Sequence, residues 1–184
     1  MPLTKLERAT GDYMAVTLIN SWDEYDREHE QLRDADVLRR WLCGNGFPGA
    51  ADAVSDDDVA RARELRSRLT AAFDAVSQAD AVEALNAVVE ESGTPPRLEH
   101  AAESWAFRSW PDEAEGLAFL APYAALGLLE VIRDGGWERF GRCAGPPCRC
   151  VYIDRSRNRS RRFCCQLCAD RVAQADYRRR RRST

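Results

Sequence analysis

The chain has 184 residues, and its 27 basic and 30 acidic side chains leave a formal net charge of −3. A chain of this length accommodates one compact domain and a small additional module. We find no apolar run long enough to span a membrane, no secretory signal and no low-complexity segment, which argues against membrane and secreted proteins. We therefore expect a cytoplasmic protein with no membrane partner.

The front part of the chain is predicted to be mainly helical, because its apolar side chains recur with the period of an α-helix. The apolar segment 13–22 fits a strand or the first turns of a helix, and we favour a helix that continues through the polar residues after it. A second helix is expected to begin at Asp34 or Asp36 and to end at the glycines of residues 43–49. Ser55 is expected to cap a third helix.

Two more helices are predicted over residues 80–91 and 113–132, with Pro122 as a candidate kink in the second. Between them, apolar and polar residues alternate over 97–110, a pattern that predicts a β-hairpin. These elements define a predominantly helical α+β domain, which we assign to residues 1–138 and call the front domain. Its aromatic side chains either fill the core or line a cavity for a small-molecule effector: Trp22, Trp41, Trp105, Trp110 and Tyr123.

The basic side chains concentrate after the front domain. Residues 139–184 contain fourteen arginines and three aspartates, a balance of +11, which leaves −14 on residues 1–138. Such a cluster is typical of proteins that bind polyanions, because counterions released from the polyanion drive association. We call residues 139–184 the C-terminal module.

Six of the seven cysteines also lie in this module, in two groups: Cys143, Cys148 and Cys150, then Cys164, Cys165 and Cys168. The module has too few large apolar residues to fold alone, so it needs a metal, a disulfide or a partner. Four thiolates in tetrahedral reach form a structural zinc site, which supplies about 10–16 kcal/mol of folding free energy. By spacing alone, Cys150 competes with Cys148 as a ligand, and Cys165 competes with Cys164.

The segments between the cysteines predict how the module is built. Residues 150–154 and 161–163 are predicted to form a β-hairpin around a polar tip. From Cys164 onward the pattern predicts a helix. A knuckle, a hairpin and a ligand-bearing helix together give a small treble-clef-like zinc finger. Disulfides are one alternative, which the missing secretory signal disfavours, and a redox-sensitive site or a site for another metal is the other.

The segments RCAGPPC, YIDRSRNRSRRFC and CADRVAQADYRRRRR resemble the C-terminal finger of the CGNR zinc-finger family of bacterial transcription regulators. The tetrapeptide that gives the family its name is Cys-Ala-Asp-Arg here, and the aspartate adds a negative charge where DNA would lie. The resemblance implies one structural zinc ion and these ligands: Cys143, Cys148, Cys164 and Cys168.

A weaker resemblance covers the front domain. LINSW, LRDADVLRRWLCGNG and the order of the later elements resemble the ABATE domain, which precedes this finger in stress-induced regulators, with Asn20 and Trp41 among the anchors. This resemblance implies a domain that senses an effector or forms a homodimer.

The arginine-rich segments of the module are the candidate nucleic-acid contacts. Arginine clamps phosphates or reads guanine edges, and asparagine adds hydrogen bonds. We expect contacts from the following residues: Arg155, Arg157, Asn158, Arg159, Arg161, Arg162, Arg171, Arg178 and Arg179. Two alternatives stay open, namely that the terminal arginines are a solvated tail and that the basic module docks on the acidic front domain.

The sequence therefore predicts a zinc-dependent, DNA-binding transcription regulator that associates with the nucleoid. An RNA- or tRNA-binding module is the first alternative, and an adaptor whose basic finger binds an acidic protein is the second. An enzyme is not expected, because the chain lacks the motifs of hydrolases, nucleotide-binding enzymes and metalloproteases, and has two histidines. A zinc ion held by four thiolates also has no open position for a catalytic water.

Overall fold

The computed structural model of the chain describes residues 8–25, 28–95, 97–101, 104–108 and 113–182. Within these residues the fold contains seven α-helices and two antiparallel two-stranded sheets. The elements are α1 (Gly11–Ile19), α2 (Ala35–Gly44), α3 (Pro48–Asp52), α4 (Asp56–Asp74), α5 (Gln78–Glu91), β1 (Arg97–Ala101), β2 (Ser104–Arg108), α6 (Leu120–Gly135), β3 (Phe140–Arg142), β4 (Val151–Ile153) and α7 (Gln166–Arg182). The predominantly helical α+β class is confirmed, and so is the hairpin predicted within 97–110.

Helix α1 lies at the centre of the fold and packs against α6 and α4. Its side chains Met14, Ala15 and Leu18 are completely buried. Two glycines let the backbones of α1 and α6 touch. A Cβ atom at Gly11 would lie 2.2 Å from the carbonyl oxygen of Tyr123. A Cβ atom at Gly127 would lie 2.2 Å from the backbone nitrogen of Asp12 in α1. Any larger residue at either position would force the two helices apart.

The predicted extension of the first helix through the polar residues is wrong, because α1 ends at Ile19. The chain then folds back, with Trp22 and Glu30 forming an isolated antiparallel bridge. The Glu30 carboxylate accepts hydrogen bonds from both terminal nitrogens of Arg66 on α4, at 2.8 and 2.5 Å. This ion pair between distant segments draws the chain over α4, which outweighs the local tendency to continue the helix.

Two predicted helix starts are confirmed. The Asp34 carboxylate accepts a hydrogen bond from the backbone amide of Val37 at 2.8 Å, and α2 begins directly afterwards. At the start of α4, the Asp58 carboxylate accepts from the backbone amide of Ser55 at 2.8 Å. Each bond satisfies an amide that a helix start leaves unpaired. The short helix α3 was not predicted.

The helix predicted over 113–132 is two elements, since a 3₁₀ segment, Glu113–Phe119, precedes α6. The break lies at Gly116, whose φ of 84° is unfavourable for other residues. Pro122 lies in the first turn of α6, where its missing amide costs no helical hydrogen bond. The structure thus places the break of the predicted helix at Gly116 and not at Pro122, where we expected a kink.

The apolar span around α6 also corrects the expectation about membrane-length segments. Residues 116–135 have a mean hydropathy of 1.4 and are long and apolar enough to cross a membrane. Half of this span is buried inside the fold, where α6 packs against α1 and α5. The core helix of a compact fold has these same properties, because the face that packs against other helices is apolar.

The sheet of the C-terminal module differs from the predicted hairpin. Strand β4 pairs with β3, so that Phe140 lies opposite Ile153, and it does not pair with residues 161–163. The hairpin β3–β4 therefore encloses the first cysteine group at its tip. After β4, the carboxylate of Asp154 accepts hydrogen bonds from the backbone amides of Ser156 and Arg161, both at 2.8 Å. These two bonds close a loop in place of the predicted second strand, and we call residues 155–162 the arginine loop.

The module is held on the front domain by the side chain of Asn20. Its amide nitrogen donates to the carbonyl of Val151 at 2.9 Å, and its oxygen accepts from the amide of Val151 at 2.8 Å. Asn20 thus replaces a neighbouring strand at one edge of β4. Val151 and Ile153 belong to the same buried core as α1, and Phe140 stacks on Phe73 of α4 with ring centroids 4.5 Å apart.

We expect Asn20→Ala to destabilise the protein by about 1–3 kcal/mol, because it leaves a buried backbone amide and carbonyl without partners. Urea unfolding measures this change. The matched control is Asn86→Ala at an exposed position of α5, which we expect to change stability by less than about 0.5 kcal/mol. Equal effects of the two substitutions would contradict the proposed clamp.

Candidate metal centre and basic surface

Four cysteine sulfurs meet where the β3–β4 hairpin faces the start of α7. Cys143 and Cys148 come from the tip of the hairpin, whereas Cys164 precedes α7 and Cys168 lies in its first turn. All four sulfurs lie within 4.8 Å of one another, and the Cys164 sulfur is 3.7 Å from those of Cys148 and Cys168. A tetrahedral zinc ion with bonds of about 2.3 Å requires sulfur separations of about 3.8 Å. The donor set and its dimensions therefore fit zinc.

Backbone hydrogen bonds hold the tip of the hairpin in shape. The amide of Cys143 donates to the carbonyl of Cys150 at 2.9 Å, and the amide of Cys148 donates to the carbonyl of Gly145 at 3.0 Å. The amide of Ala144 donates to the carbonyl of Arg162 at 2.8 Å, which ties the tip to the end of the arginine loop. The positions of the cysteine side chains are thus set by backbone bonds as well as by any metal.

The four thiols differ in how easily they lose a proton. Burial would raise the pKa of Cys143, but hydrogen bonds from the backbone amides of Cys164 and Gly145 bring it below the usual value. Burial raises the pKa of Cys168 to about 12. Burial, followed by the neighbouring thiols, also raises the pKa of Cys164. Without metal, some of these groups are therefore protonated at neutral pH, and zinc has to displace their protons.

The two remaining thiols of the module lie beside the four-sulfur group. Cys165 is exposed, with its sulfur 3.8 Å from that of Cys164. Cys150 is partly buried, and its sulfur lies within 4.8 Å of the Cys148 sulfur and of a carboxylate oxygen of Asp23. All seven cysteines are free thiols. The structure therefore brings together the four cysteines that the family resemblance implies as ligands.

Two of the candidate nucleic-acid residues are used within the protein. The Arg161 guanidinium lies over the Tyr152 ring, 4.8 Å from its centroid, and donates to the backbone carbonyls of Phe163 and Cys164. Arg171 lies over the ring of Tyr25, 3.4 Å from its centroid, and donates to the Cys168 sulfur at 3.4 Å. Both arginines support the metal centre, and Arg171 also joins it to Tyr25 of the front domain.

Three more candidates have acidic or carbonyl partners. Arg155 forms an ion pair with the buried Asp12 of α1. Arg159 donates to the carbonyl of Gly135 at 2.9 Å. Arg179 pairs with Asp176 one turn earlier in α7, at 3.0 Å. All three arginines remain at the surface despite these contacts, because at least 48% of each side chain is exposed.

The other candidates point into solvent. Arg162 lies over the ring of Phe163, 5.5 Å from its centroid, and its side chain is exposed. Within the described part of the chain, no hydrogen bond or ion pair engages the exposed side chains of Arg157, Asn158 and Arg178. These residues offer unpaired donors on the arginine loop and on the last turns of α7.

Several residues that shape this surface were not found from the sequence. Arg139 donates to the carbonyls of Asp154 and Ser156, at 2.9 and 2.7 Å, and so braces the arginine loop. The hydroxyl of Tyr25 donates to the carbonyl of Pro146 at 2.8 Å, and Arg142 pairs with Asp74 at 2.6 Å. The partners of Tyr25 and Arg142 are far away in the chain, so a local pattern carries no signal for them.

We expect the zinc affinity of the protein to fall as pH decreases from about 12 towards neutrality, because Cys168, with its raised pKa of about 12, then holds a proton that zinc has to displace. The decrease is about tenfold per pH unit for each proton that zinc displaces. Competition with a chromophoric chelator over a series of pH values measures it. An affinity that does not change with pH would contradict the raised pKa values of Cys164 and Cys168.

Comparison with known families accounts for both parts of the chain. Residues 12–135 match the ABATE family model, described as a putative stress-induced transcription regulator. Residues 139–181 match the CGNR zinc finger. No curated protein matches the chain. Since the first match covers more than half of the sequence, the chain belongs to the ABATE family, and its CGNR zinc finger holds one structural zinc ion.

Proposed function

We propose that this protein is a DNA-binding transcription regulator whose zinc ion organises a basic surface. The observation that carries this proposal is the balance of +11 on residues 139–184, much of it exposed beside the four-cysteine group. The description of the matching family supports the regulatory role. We keep the division at residue 139 as part of the proposal, and we assign zinc binding to these ligands: Cys143, Cys148, Cys164 and Cys168.

Zinc acts on the basic surface through the ends of the arginine loop. The loop begins after β4, which the front domain holds through Asn20. It ends at Arg162, and Phe163 alone separates it from the ligand Cys164. Bound zinc therefore fixes the end of the loop and the start of α7 relative to β4. Four thiolates leave no open coordination position, so the metal contributes architecture and not catalysis.

The arginines divide into two groups with different tasks. The unpaired side chains of Arg157, Arg162 and Arg178 are the proposed primary phosphate contacts, with Asn158 as a hydrogen-bonding partner. Arg155, Arg159 and Arg179 add contacts when they exchange their present partners for phosphate oxygens.

The second group consists of Arg161 and Arg171, which hold the surface in place.

Asp170 is exposed on α7 and accepts a hydrogen bond from Gln166 at 2.8 Å. Its negative charge repels phosphates from the first turns of that helix. We therefore assign most base contacts to the arginine loop.

An effector site is proposed at the junction of the two parts. A groove of about 470 Å³ lies between them, lined by Trp22 and Arg66 from the front domain and by Arg142 and Arg149 from the module. A small molecule bound there would contact both parts at once. Of the other aromatic candidates, Trp41 and Tyr123 pack against the core, and Trp110 lies outside the described residues.

A homodimer is the proposed binding form, because a single finger of this size makes few base contacts and a dimer reads two half-sites. Binding to chromosomal DNA would also place the protein in the cytoplasm, at the nucleoid. Light scattering of the free and the DNA-bound protein tests the dimer.

We expect duplex DNA to bind the zinc-loaded protein with an affinity that falls steeply with salt, because arginines displace counterions from phosphates. Arg157→Ala and Arg178→Ala should each weaken binding and reduce the slope of log K against log salt by about 1. Arg40→Ala, which removes an exposed arginine of α2, is the matched control and should change neither. Fluorescence anisotropy across salt concentrations measures all four proteins.

Three results would count against the proposal. Binding that is unchanged after zinc chelation would mean that the arginines act as an unstructured polycation. Stronger competition by structured RNA than by duplex DNA would favour the RNA-binding alternative. Weak binding to both nucleic acids, with an affinity that does not depend on salt, would favour the alternative of an adaptor that binds an acidic protein.

A further inference from the structure

The structural zinc site does not use two potential metal ligands that lie directly beside it. A carboxylate oxygen of Asp23, the sulfur of Cys148 and the sulfur of Cys150 lie within 4.8 Å of one another. Only Cys148 belongs to the four-sulfur group as well. Asp23 comes from the segment after α1, whereas Cys150 directly precedes β4, so this second group connects the front domain with the finger.

Backbone hydrogen bonds hold both additional ligands in position. The Asp23 amide donates to the carbonyl of His29 at 2.9 Å, and an oxygen of the Asp23 carboxylate accepts from the Tyr25 amide at 2.9 Å. The carbonyl of Cys150 accepts from the amide of Cys143 at 2.9 Å. Asp23 and Cys150 are both partly buried. The ligand atoms therefore sit on structured backbone and remain accessible to an ion from solvent.

The chemistry of this group selects a particular class of ion. Two sulfur ligands disfavour magnesium and calcium, which take oxygen ligands, and favour thiophilic divalent ions such as zinc or cadmium. Zinc also accepts aspartate oxygen as a ligand. Three protein ligands leave the fourth tetrahedral position to water, so an ion here exchanges more easily than one held by four thiolates.

Charge supports a second cation at this place. A zinc ion with four thiolate ligands carries a formal charge of −2, and Asp23 adds a further negative charge beside it. Arg171 donates to the Cys168 sulfur, on the other cysteine group, and Arg149 approaches Glu24 at 4.0 Å. These two arginines do not offset all of this negative charge. A divalent ion between Asp23 and Cys150 would reduce the negative charge that remains.

We propose that Asp23, Cys148 and Cys150 form a second, exchangeable site for a thiophilic divalent ion, with the Cys148 thiolate bridging it to the structural zinc. The ion would tie the segment after α1 to the hairpin of the finger. Occupancy of this site would therefore respond to the available metal and change how firmly the two parts are joined. The inference depends on the proposed function only through the ligand role of Cys148.

The test is the metal content of the full-length protein at equilibrium with increasing zinc or cadmium, measured by equilibrium dialysis so that free ion is subtracted and not removed. We expect two equivalents for the wild type and one for Cys150→Ser and Asp23→Asn. Cys165→Ser is the matched control, because its sulfur is adjacent to the centre but outside both ligand groups, and it should retain two. Cys164→Ser should lose the structural zinc.

Cadmium NMR provides a readout that does not depend on stoichiometry alone. The wild type should show two cadmium signals coupled through the bridging sulfur, and Asp23→Asn should show a single signal from the four-thiolate site. A wild type that never exceeds one equivalent, or a Cys150→Ser variant that retains two, would overturn the proposal. Failure of the proposed function is distinguishable, since DNA binding by Cys150→Ser, which keeps only the structural zinc, tests that function without the second site.

Discussion

The C-terminal part of the structure depends on four cysteine sulfurs being held at tetrahedral distances. The C-terminal module contains few large apolar side chains, and its two-stranded sheet has three residues in each strand. A sheet of this size is not stable alone. Zinc bound to four thiolates supplies about 10–16 kcal/mol, which is enough to order the segment. The metal therefore takes the place of the core that the module lacks.

The metal centre is also joined to the front domain, and this sets the protein apart from a finger on a flexible linker. Asn20 pairs with both backbone groups of Val151, and Tyr25 contacts both Pro146 and Arg171. Val151 and Ile153 complete the core around α1. Loss of zinc should consequently loosen packing in the front domain, and a change near Trp22 should reach the arginine loop through β4.

Features set by neighbouring residues were predictable from the sequence, and features set by distant contacts were not. The caps at Asp34 and Ser55 and the two groups of cysteines depend on local spacing. The fold of the chain after α1 depends on an ion pair between Glu30 and Arg66, 36 residues apart. The pairing of β4 with β3 depends on Asp154, which closes the arginine loop and so removes the predicted second strand.

The candidate site shows the same division. Spacing alone left Cys148 and Cys150 as competing ligands, and the family resemblance chose between them. The geometry gives a physical reason for that choice, because the Cys150 sulfur lies outside the four-sulfur group. For the arginines, composition indicated a basic surface but could not separate Arg161, which binds backbone carbonyls, from Arg157, which is free in solvent. That separation depends on the loop that Asp154 organises.

Hydrogen–deuterium exchange of the full-length protein, with zinc bound and after chelation, tests most directly whether the metal orders the basic surface and couples it to the front domain. We predict that chelation abolishes protection in β4, the arginine loop and the start of α7, and reduces protection in α1. Unchanged protection in the arginine loop would contradict the central role of zinc. Loss of protection confined to residues after Cys143 would contradict the coupling through Asn20.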